Sequence, residues 1–267
     1  MAKLNIVGVN GNIGSGKDTV ADRFVEQGYT KVSLADPMKR FAQKVFGFSE
    51  EQLWGPSDNR NTWDERYFEG SDAWLLAAEA CREYSEDWIK TLLPDATEDV
   101  IVDAEWDLQE WFGSLLETHP DLSPRVCLQL LGTEWGRQTL YENVWVDYME
   151  LVAEELFTVD EACYERQHGL MYTKAGIVQT SDGVVVPDVR FKNEFMFCKD
   201  NDYPIIKVRR PETDAKAAQT GITRHASETE QEDFDITLFD VVIENVGTLE
   251  DLLFMADTLA DTYANKE

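Results

Sequence analysis

Basic residues are scarce in this chain, with 24 Lys and Arg against 52 Asp and Glu and a net charge of −28 over 267 residues. A surface so negative repels polymeric nucleic acid and anionic membranes. We therefore expect neither among the partners. The few basic side chains must be concentrated wherever the protein holds phosphate groups.

Cysteine and histidine are also rare, with four and three residues. The cysteines form no Cys-x-x-Cys pair and the histidines have no metal-ligand spacing, so neither a zinc site nor a disulfide framework is predicted. No apolar run approaches the roughly 20 residues that span a bilayer, and the first residues carry no apolar leader. We expect a cytoplasmic protein with reduced thiols.

The most informative stretch follows an apolar run at 4–9 and has the spacing Gly-x-x-x-x-Gly-Lys. Glycines let consecutive backbone N–H groups converge on an anion, and a helix starting near Lys17 would add its positive end. The Lys17 ammonium would then reach the β- and γ-phosphates of a nucleotide. The pattern predicts a phosphate-binding loop. Its members are Gly11, Asn12, Ile13, Gly14, Ser15, Gly16, Lys17, Asp18 and Thr19.

One position departs from the usual loop. Asp18 stands where Ser or Thr normally places a hydroxyl on Mg²⁺, and Thr19 follows one place later. We expect the Asp18 carboxylate to hold the metal directly or through water. The departure argues against a generic GTPase or motor ATPase.

Apolar runs alternate with helical patterns along the chain. Strands are predicted at 4–9, 31–35, 184–187, 204–208 and 241–243, and helices at 17–27, 37–46, 124–139, 146–157 and 249–263. This alternation predicts an α/β fold with a parallel sheet of about five strands and helices on both faces. We expect a single domain over 1–267.

An acidic segment at 50–122 interrupts the alternation. From Glu50 to Asp121 the chain has 20 acidic and four basic residues and six of its eight tryptophans. The mostly helical spacing predicts a helical insertion packed by tryptophans and solvated by carboxylates; a partner-binding surface is the alternative. We also predict a small excursion at 158–183, read as a β-hairpin, and a lid-like loop at 211–230.

Two helical patterns carry candidate substrate residues. Asp36 and Lys39 lie where the second predicted strand enters a helix, and Asp36 either caps that helix or contacts substrate. In the 124–139 pattern, Arg125, Gln129 and Thr133 share a helical face. An arginine and an amide beside a small residue suit a nucleotide phosphate and a base edge. The alternative is an ordinary amphipathic helix.

A further candidate lies at the end of an apolar strand. Asp188 has the position from which a carboxylate orients Mg²⁺ or its waters, and Arg190 follows it closely. Asp103 also follows an apolar run, but it lies within the acidic segment. We therefore prefer Asp188.

Arginines flank the predicted lid. Arg209 and Arg210 end one predicted strand, and Arg224 lies within the loop that follows. A mobile segment that carries arginines is what a phosphoryl-transfer enzyme needs. A flexible solvated loop would explain the composition but not the flanking arginines.

These motifs together resemble the deoxynucleoside monophosphate kinases of bacteriophages and their bacterial relatives. The matching stretches are Gly-Ser-Gly-Lys-Asp-Thr (14–19), Leu-Ala-Asp-Pro-Met-Lys (34–39), Leu-Gln-Leu-Leu-Gly-Thr-Glu (128–134), Val-Pro-Asp-Val-Arg-Phe-Lys-Asn-Glu (186–194), Arg-Arg-Pro (209–211), His-x-Ser-Glu (225–228) and Asn-x-Gly-Thr-Leu-Glu-Asp-Leu (245–252). The resemblance implies a P-loop kinase fold, ATP as donor, Mg²⁺, a deoxynucleotide acceptor and a homodimer. A phage-encoded chain would act in the host cytoplasm. The acidic segment has no counterpart in it.

We therefore hypothesise that ATP transfers its γ-phosphoryl group to a deoxynucleoside monophosphate. The catalytic residues of this hypothesis are Lys17, Arg125, Arg137, Arg190, Arg209 and Arg210; the acceptor-binding residues are Asp36, Lys39, Arg125, Gln129, Thr133, Arg137 and Arg224; the metal-binding residues are Asp18 and Asp188. One alternative is a small P-loop kinase that phosphorylates an alcohol, with Asp36 as its base, or another phosphorylated metabolite. Another is a nucleotide-binding interaction protein with the acidic segment as its surface.

Overall fold

The computed structural model describes residues 4–55, 57–157, 181, 183–213, 230 and 234–264. The chain divides into two compact units. The sheet unit comprises Met1–Leu34 and Met149–Glu267, and the helical unit comprises Ala35–Tyr148.

The sheet unit is built on five parallel strands in the order β2-β3-β1-β4-β5. The strands are β1 (Ile6–Asn10), β2 (Tyr29–Lys31), β3 (Gly183–Val186), β4 (Ile205–Arg209) and β5 (Val241–Glu244). The helices of the chain are α1 (Lys17–Glu26), α2 (Asp36–Phe46), α3 (Glu50–Leu53), α4 (Ser57–Asn61), α5 (Asp72–Leu92), α6 (Glu98–Thr118), α7 (Pro124–Leu130), α8 (Val144–Phe157), α9 (Lys192–Asp200) and α10 (Leu249–Ala264), with a π-helix at Leu131–Leu140 and a 3₁₀ turn at Ile236–Leu238.

Strand β1 lies at the centre of this sheet, and both of its faces are covered. All five of its residues are buried. On one face, α1 and α10 share a core with β1 in which Phe24 stacks on Tyr263 at 6.3 Å between ring centroids. On the other face, a Cβ at Gly8 would lie 3.3 Å from the Cys198 Sγ of α9. The prediction of an α/β fold with a five-stranded parallel sheet is confirmed.

Two details of the predicted fold were wrong. The second strand occupies Tyr29–Lys31 rather than 31–35, because after Val32 the chain turns out of the sheet and the Leu34 N–H donates to the Asp188 side chain. Helix α9 was not predicted at all. Its signal was Glu194 in the first turn, whose carboxylate accepts backbone N–H groups at the helix start.

The helical unit is organised around aromatic side chains. The Trp74 and Phe112 rings stack at 4.3 Å and join α5 to α6. Trp88 stacks on Trp135 at 5.1 Å, and its indole N–H donates to the Pro37 carbonyl. The tryptophans of the acidic segment therefore pack partly against residues outside 50–122. The boundaries of the predicted insertion stay a prediction.

The predicted helix at 124–139 is correct in place but changes type after Leu130. Its second half is a π-helix, against which Trp145 packs. The Trp145 indole N–H donates to the Gly132 carbonyl at 2.9 Å, and a Cβ at Gly136 would lie 2.3 Å from Trp145 Cζ2. The glycines of this motif therefore admit protein side chains, including Met38, whose Sδ lies 2.6 Å from the Cβ position of Gly132.

Within the described ranges, no helix is long and apolar enough to cross a membrane. Cys81, Cys127 and Cys198 are buried free thiols, and burial raises the pKa of Cys81 to about 12. Most of the predicted excursion at 158–183 and most of the predicted lid at 211–230, including Arg224, lie outside the described residues.

We expect Gly136→Ala to destabilise the protein by about 1–3 kcal/mol, because the new methyl group would overpack against Trp145. Gly113→Ala is the matched control: nothing lies within 4 Å of its Cβ position in α6, so better helix propensity should stabilise by up to ~1 kcal/mol. Urea denaturation of both variants measures the difference. Equal effects would contradict the role given to Trp145.

Candidate active site

The phosphate loop connects β1 directly to α1 at the carboxyl edge of the sheet. Gly14 and Gly16 have φ angles of 78° and 98°, which only glycine adopts without strain. The Ser15 N–H donates to the Asn12 carbonyl at 3.0 Å and closes the turn. Lys17 is then the first residue of α1, so the loop backbone and the helix N-terminus converge as an anion site requires.

Neighbouring segments hold the loop tightly from outside. A Cβ at Gly11 would lie 2.6 Å from the Val208 carbonyl of β4, and one at Gly16 would lie 2.8 Å from Asn245 Nδ2. The buried Asn245 amide donates to the Ser15 carbonyl at 2.9 Å. Asn245, the first residue of the 245–252 motif, thus has its amide nitrogen hydrogen-bonded to the loop backbone.

Ser15 places a polar atom inside this cradle. Its side chain is fully buried, and its Oγ has no hydrogen-bond partner among the described residues. A buried hydroxyl without a partner is costly. A phosphate oxygen in the loop would satisfy it.

Lys17 and Asp18 form an ion pair at the start of α1, with 2.7 Å between Nζ and Oδ2. Desolvation raises the pKa of Asp18, but the charge and hydrogen bond of Lys17 oppose it, and the charges of Lys31 and Arg190 add to that effect. The net result is a pKa below its ordinary value. The carboxylate is therefore ionised at neutral pH, as a metal ligand must be.

Asp188 follows β3, the strand beside β1, and is anchored from the connection after β2. Its Oδ2 accepts from the Ser33 hydroxyl at 2.6 Å, and its Oδ1 accepts from the Leu34 N–H at 3.0 Å. These bonds fix the orientation of the carboxylate. The sequence placed Asp188 at this edge but did not reveal Ser33 as its partner.

Arg190 is held by its backbone. The buried Glu194 carboxylate accepts from the Arg190 N–H at 2.6 Å and from the Phe191 N–H at 2.9 Å. The Arg190 Nε is buried and has no partner in the described part of the chain. Its guanidinium lies close enough to Asp18 to lower the pKa of that carboxyl, which places positive charge near the phosphate loop.

Arg209 ends β4, the other neighbour of β1, and Arg210 directly follows the strand. Arg209 pairs with Glu244 at 2.9 Å, and Arg210 lies 3.9 Å from Glu212. Thr213, just beyond them, has its Cγ2 3.4 Å from the Cβ position of Gly14. Thr213, near the start of the predicted lid, therefore lies beside the phosphate loop.

This edge of the sheet is a natural ligand site. The connection after β1 leads towards β2, and the connection after β4 leads to β5 on the opposite side. Ligands bind outside the carboxyl ends of neighbouring strands whose connections diverge in this way. The loops after β1, β3 and β4 bring together the phosphate loop, the Asp188–Arg190 turn and the Arg209–Arg210 pair.

The remaining candidates lie in the helical unit. Arg125, Gln129, Thr133 and Arg137 are all half-buried and recur every four residues through α7 and the π-helix. The Arg125 guanidinium donates to the Asn61 side chain, and Arg137 donates to the Glu142 carbonyl at 3.3 Å. Thr133 and Arg137 lie in the π-helix. π-Helical segments are rare, and those within α-helices are frequently found at functional sites.

Asp36 and Lys39 lie in the first turn of α2 and share a partner in Trp54. The Trp54 indole N–H donates to Asp36 Oδ1 at 3.3 Å, and Lys39 Nζ lies 3.7 Å from the same oxygen. The Lys39 ammonium also lies 5.7 Å from the Trp54 ring centroid. The N-cap position of α2 is occupied by Ala35, and Asp36 is the first residue of the helix. The substrate interpretation of Asp36 stays a prediction.

The fold and the loop are those of a P-loop nucleotide-binding protein. The family model of deoxynucleotide monophosphate kinases matches residues 5–255. The chain therefore belongs to the deoxynucleotide monophosphate kinase family.

Two curated relatives are viral. A protein of Acanthamoeba polyphaga mimivirus described as a deoxynucleotide monophosphate kinase is 26% identical over 250 residues, 92% of this chain and 91% of the relative. The deoxynucleoside-5′-monophosphate kinase of Escherichia phage T5 is 26% identical over 218 residues, 74% of this chain and 73% of the relative. The crystal structure of TT1252 from Thermus thermophilus covers 97% of each chain with 19% identity and a TM-score of 0.36, which is too low to support an argument.

The family assignment confirms the resemblance drawn from the motifs and the prediction of a phosphotransferase that acts on deoxynucleoside monophosphates. A kinase of this family implies ATP as donor and small-molecule substrates. The roles given to individual residues stay predictions.

We expect Gly16→Ala to weaken ATP binding by about tenfold or more, because a φ of 98° costs an L-residue ~1–2 kcal/mol and the methyl group would collide with Asn245. Gly70→Ala is the matched control. Gly70 has a φ of 77° with nothing within 4 Å of its Cβ position. Alanine there adds the same backbone strain without crowding the phosphate loop. Calorimetric titration with ATP compares the two, and equal affinities would refute the crowding argument.

Proposed function

We propose that this enzyme transfers the γ-phosphoryl group of ATP to the phosphate of a deoxynucleoside monophosphate through the residues described above. The observation that carries the proposal is the glycine loop that leads from the buried strand β1 into α1 at Lys17. In a chain of net charge −28, it supplies the concentrated positive potential that a polyphosphate needs. Membership of the kinase family supports the reaction.

The reaction needs no general base from the protein. The second pKa of a phosphate monoester is about 6, so the acceptor oxygen is already ionised at pH 7. The enzyme has to hold two polyanions in line and neutralise charge on the moving phosphoryl group. Lysine and arginine are the side chains suited to that work.

The donor is bound by the phosphate loop. The backbone N–H groups from Gly11 to Lys17 surround the β- and γ-phosphates, and the Ser15 hydroxyl gains the partner that it lacks among the described residues. The Lys17 ammonium pairs with Asp18 at 2.7 Å. When ATP binds, it gives up this contact for one with the same phosphates.

The acidic residues of the sheet unit suit a magnesium ion. Mg²⁺ is usually held by one or two carboxylates together with substrate phosphates. Asp18 is kept ionised by its neighbours, and Asp188 is oriented by Ser33 and Leu34. When bound, Mg²⁺ would neutralise charge on the β- and γ-phosphates.

We assign the acceptor to the residues of the helical unit that recur every four positions from Arg125 to Arg137. Arg125 and Arg137 bind its phosphate, and Gln129 and Thr133 contact the nucleoside, with Asp36 and Lys39 of α2 as further contacts. Arg190, Arg209 and Arg210 neutralise the transferring group, and Arg224 completes the lid. A homodimer and the exclusion of nucleic-acid polymers belong to the same proposal. So does action in the host cytoplasm, which the phage and viral relatives support.

We expect ADP formation from ATP only when a deoxynucleoside monophosphate is added, and Lys17→Ala should lower kcat by about 10²–10³-fold because a transition-state charge contact is lost. A coupled assay with the four common deoxynucleoside monophosphates and their modified forms measures both effects. Lys90→Ala is the control: Lys90 is an exposed lysine of α5 paired with Glu86, so its loss should leave kcat unchanged. A fully active Lys17→Ala enzyme would reject the assignment of the donor site, and ADP formation without an acceptor would favour a nucleotide-binding switch.

Asp36→Asn separates a phosphate acceptor from an alcohol acceptor. With a phosphate acceptor we expect a change in KM and little change in kcat, because Asp36 moves no proton. With an alcohol acceptor, loss of the base would lower kcat by about 10²–10⁴-fold while ATP still binds. Steady-state kinetics with each acceptor class distinguishes the two, and Asp36→Glu, which keeps the carboxylate, serves as the comparison.

A further inference from the structure

We propose that Asn10 and Lys207 are positioning residues for phosphoryl transfer: the Asn10 carboxamide holds the peptide between Asp188 and Arg190 against the strand that carries the phosphate loop, and Lys207 fixes that carboxamide. The inference rests on the proposed function. It concerns two polar residues that no motif singled out.

Asn10 is the last residue of β1 and directly precedes Gly11 of the phosphate loop. Its side chain is fully buried, and both ends of the carboxamide are used. Nδ2 donates to the Val189 carbonyl at 2.6 Å, and Oδ1 accepts from Lys207 Nζ at 2.6 Å. An ammonium can only donate and a carbonyl can only accept, so these two partners permit only one orientation of the amide.

Val189 lies between the two residues whose side chains the mechanism uses. Its N–H donates to the Val9 carbonyl at 3.3 Å, its carbonyl accepts from Asn10, and its Cγ2 lies 3.2 Å from the Cβ position of Gly8. Three successive residues of β1 therefore hold this one residue. The positions of Asp188 and Arg190 relative to the phosphate loop follow from these contacts.

Lys207 strengthens the bond that Asn10 makes. It pairs with Asn10 in the β4–β1 register, and its half-buried side chain places the ammonium 5.4 Å from the Phe239 ring centroid. A hydrogen bond from a charged donor is roughly twice as strong as a neutral one. Because the ammonium carries only donors, it keeps Asn10 Oδ1 on its own side and leaves Nδ2 directed at the Val189 carbonyl.

Other residues hold other parts of the same turn, so the contact made by Asn10 is not duplicated by them. Ser33 and Leu34 hold the Asp188 carboxylate, and Glu194 holds the Arg190 and Phe191 N–H groups. The Asn10 side chain joins this turn to the end of β1, immediately before the phosphate loop. A displacement near 1 Å between catalytic groups can lower turnover by about 10²-fold.

The test uses Asn10→Leu, which removes both hydrogen bonds, and Asn10→Asp, which keeps an acceptor for Lys207 but sets a carboxylate against the Val189 carbonyl. We expect both variants to lower kcat by about 10- to 100-fold. ATP affinity measured without Mg²⁺ should stay within roughly threefold of wild type, because the phosphate loop itself is unchanged. The Mg²⁺ concentration for half-maximal activity should rise, because Asp188 is displaced. Lys207→Met should show the same changes to a smaller degree, and Lys207→Arg should recover part of the wild-type kcat.

Asn201→Leu is the matched control, because the Asn201 amide also donates to a backbone carbonyl, that of Phe197 at 2.9 Å, but at the end of α9. It should lower thermal stability and leave kcat and the Mg²⁺ dependence unchanged. The inference is overturned if the Asn10 variants lose only stability, as the control does. If the Asn10 variants do not fold, a wild-type kcat in Lys207→Met overturns it. A wild-type enzyme without acceptor-dependent ADP formation would overturn the proposed function and this inference together, whereas active Asn10 variants beside an active wild type would overturn this inference alone.

Discussion

The site depends on the way the phosphate loop is held in shape before any ligand arrives. Gly14 and Gly16 have left-handed backbone conformations. The loop is too closely packed to relax, because Val208 of β4 lies against Gly11. The Asn245 amide also donates a hydrogen bond to the Ser15 carbonyl. A cradle fixed by its neighbours does not have to be ordered when an anion binds, so less binding energy is lost to ordering. Because β1 is the central strand, β4 on one side and the turn after β5 help to fix this loop.

The distribution of charge gives the second constraint. A chain with a net charge of −28 can bind a polyphosphate only where its few cations outweigh the surrounding carboxylates. In the sheet unit this happens near Asp18, whose pKa is lowered by Lys17, Lys31 and Arg190 despite desolvation. The same neighbours that keep this carboxylate ionised provide positive potential for phosphates. The acidic segment contributes the opposite sign, and its charges lie on helices whose inner faces pack through aromatic rings such as Trp74 and Phe112.

Sequence reasoning succeeded where the chemistry is local and failed where partners come from distant segments. The phosphate loop and the strand leading into Asp188 could be predicted because spacing and hydrophobic runs are properties of a few consecutive residues. The β2 boundary was misplaced because the hydrogen bond from Leu34 to Asp188, more than 150 residues away, takes the chain out of the sheet. The space beside Gly132 and Gly136 is occupied by Met38 and Trp145. No local pattern records such contacts.

The sequence by itself determined the class of fold, the place of the anion cradle and the family, since each is encoded in contiguous motifs and in the alternation of strands and helices. Only the tertiary structure decided which side chains support those motifs. Ser33 anchors Asp188, Glu194 anchors the Arg190 backbone, and Asn10 with Lys207 ties that turn to β1. The physical reason is that hydrogen bonds between buried polar groups depend on distances and angles, and parallel strands far apart in sequence come side by side only when the sheet forms.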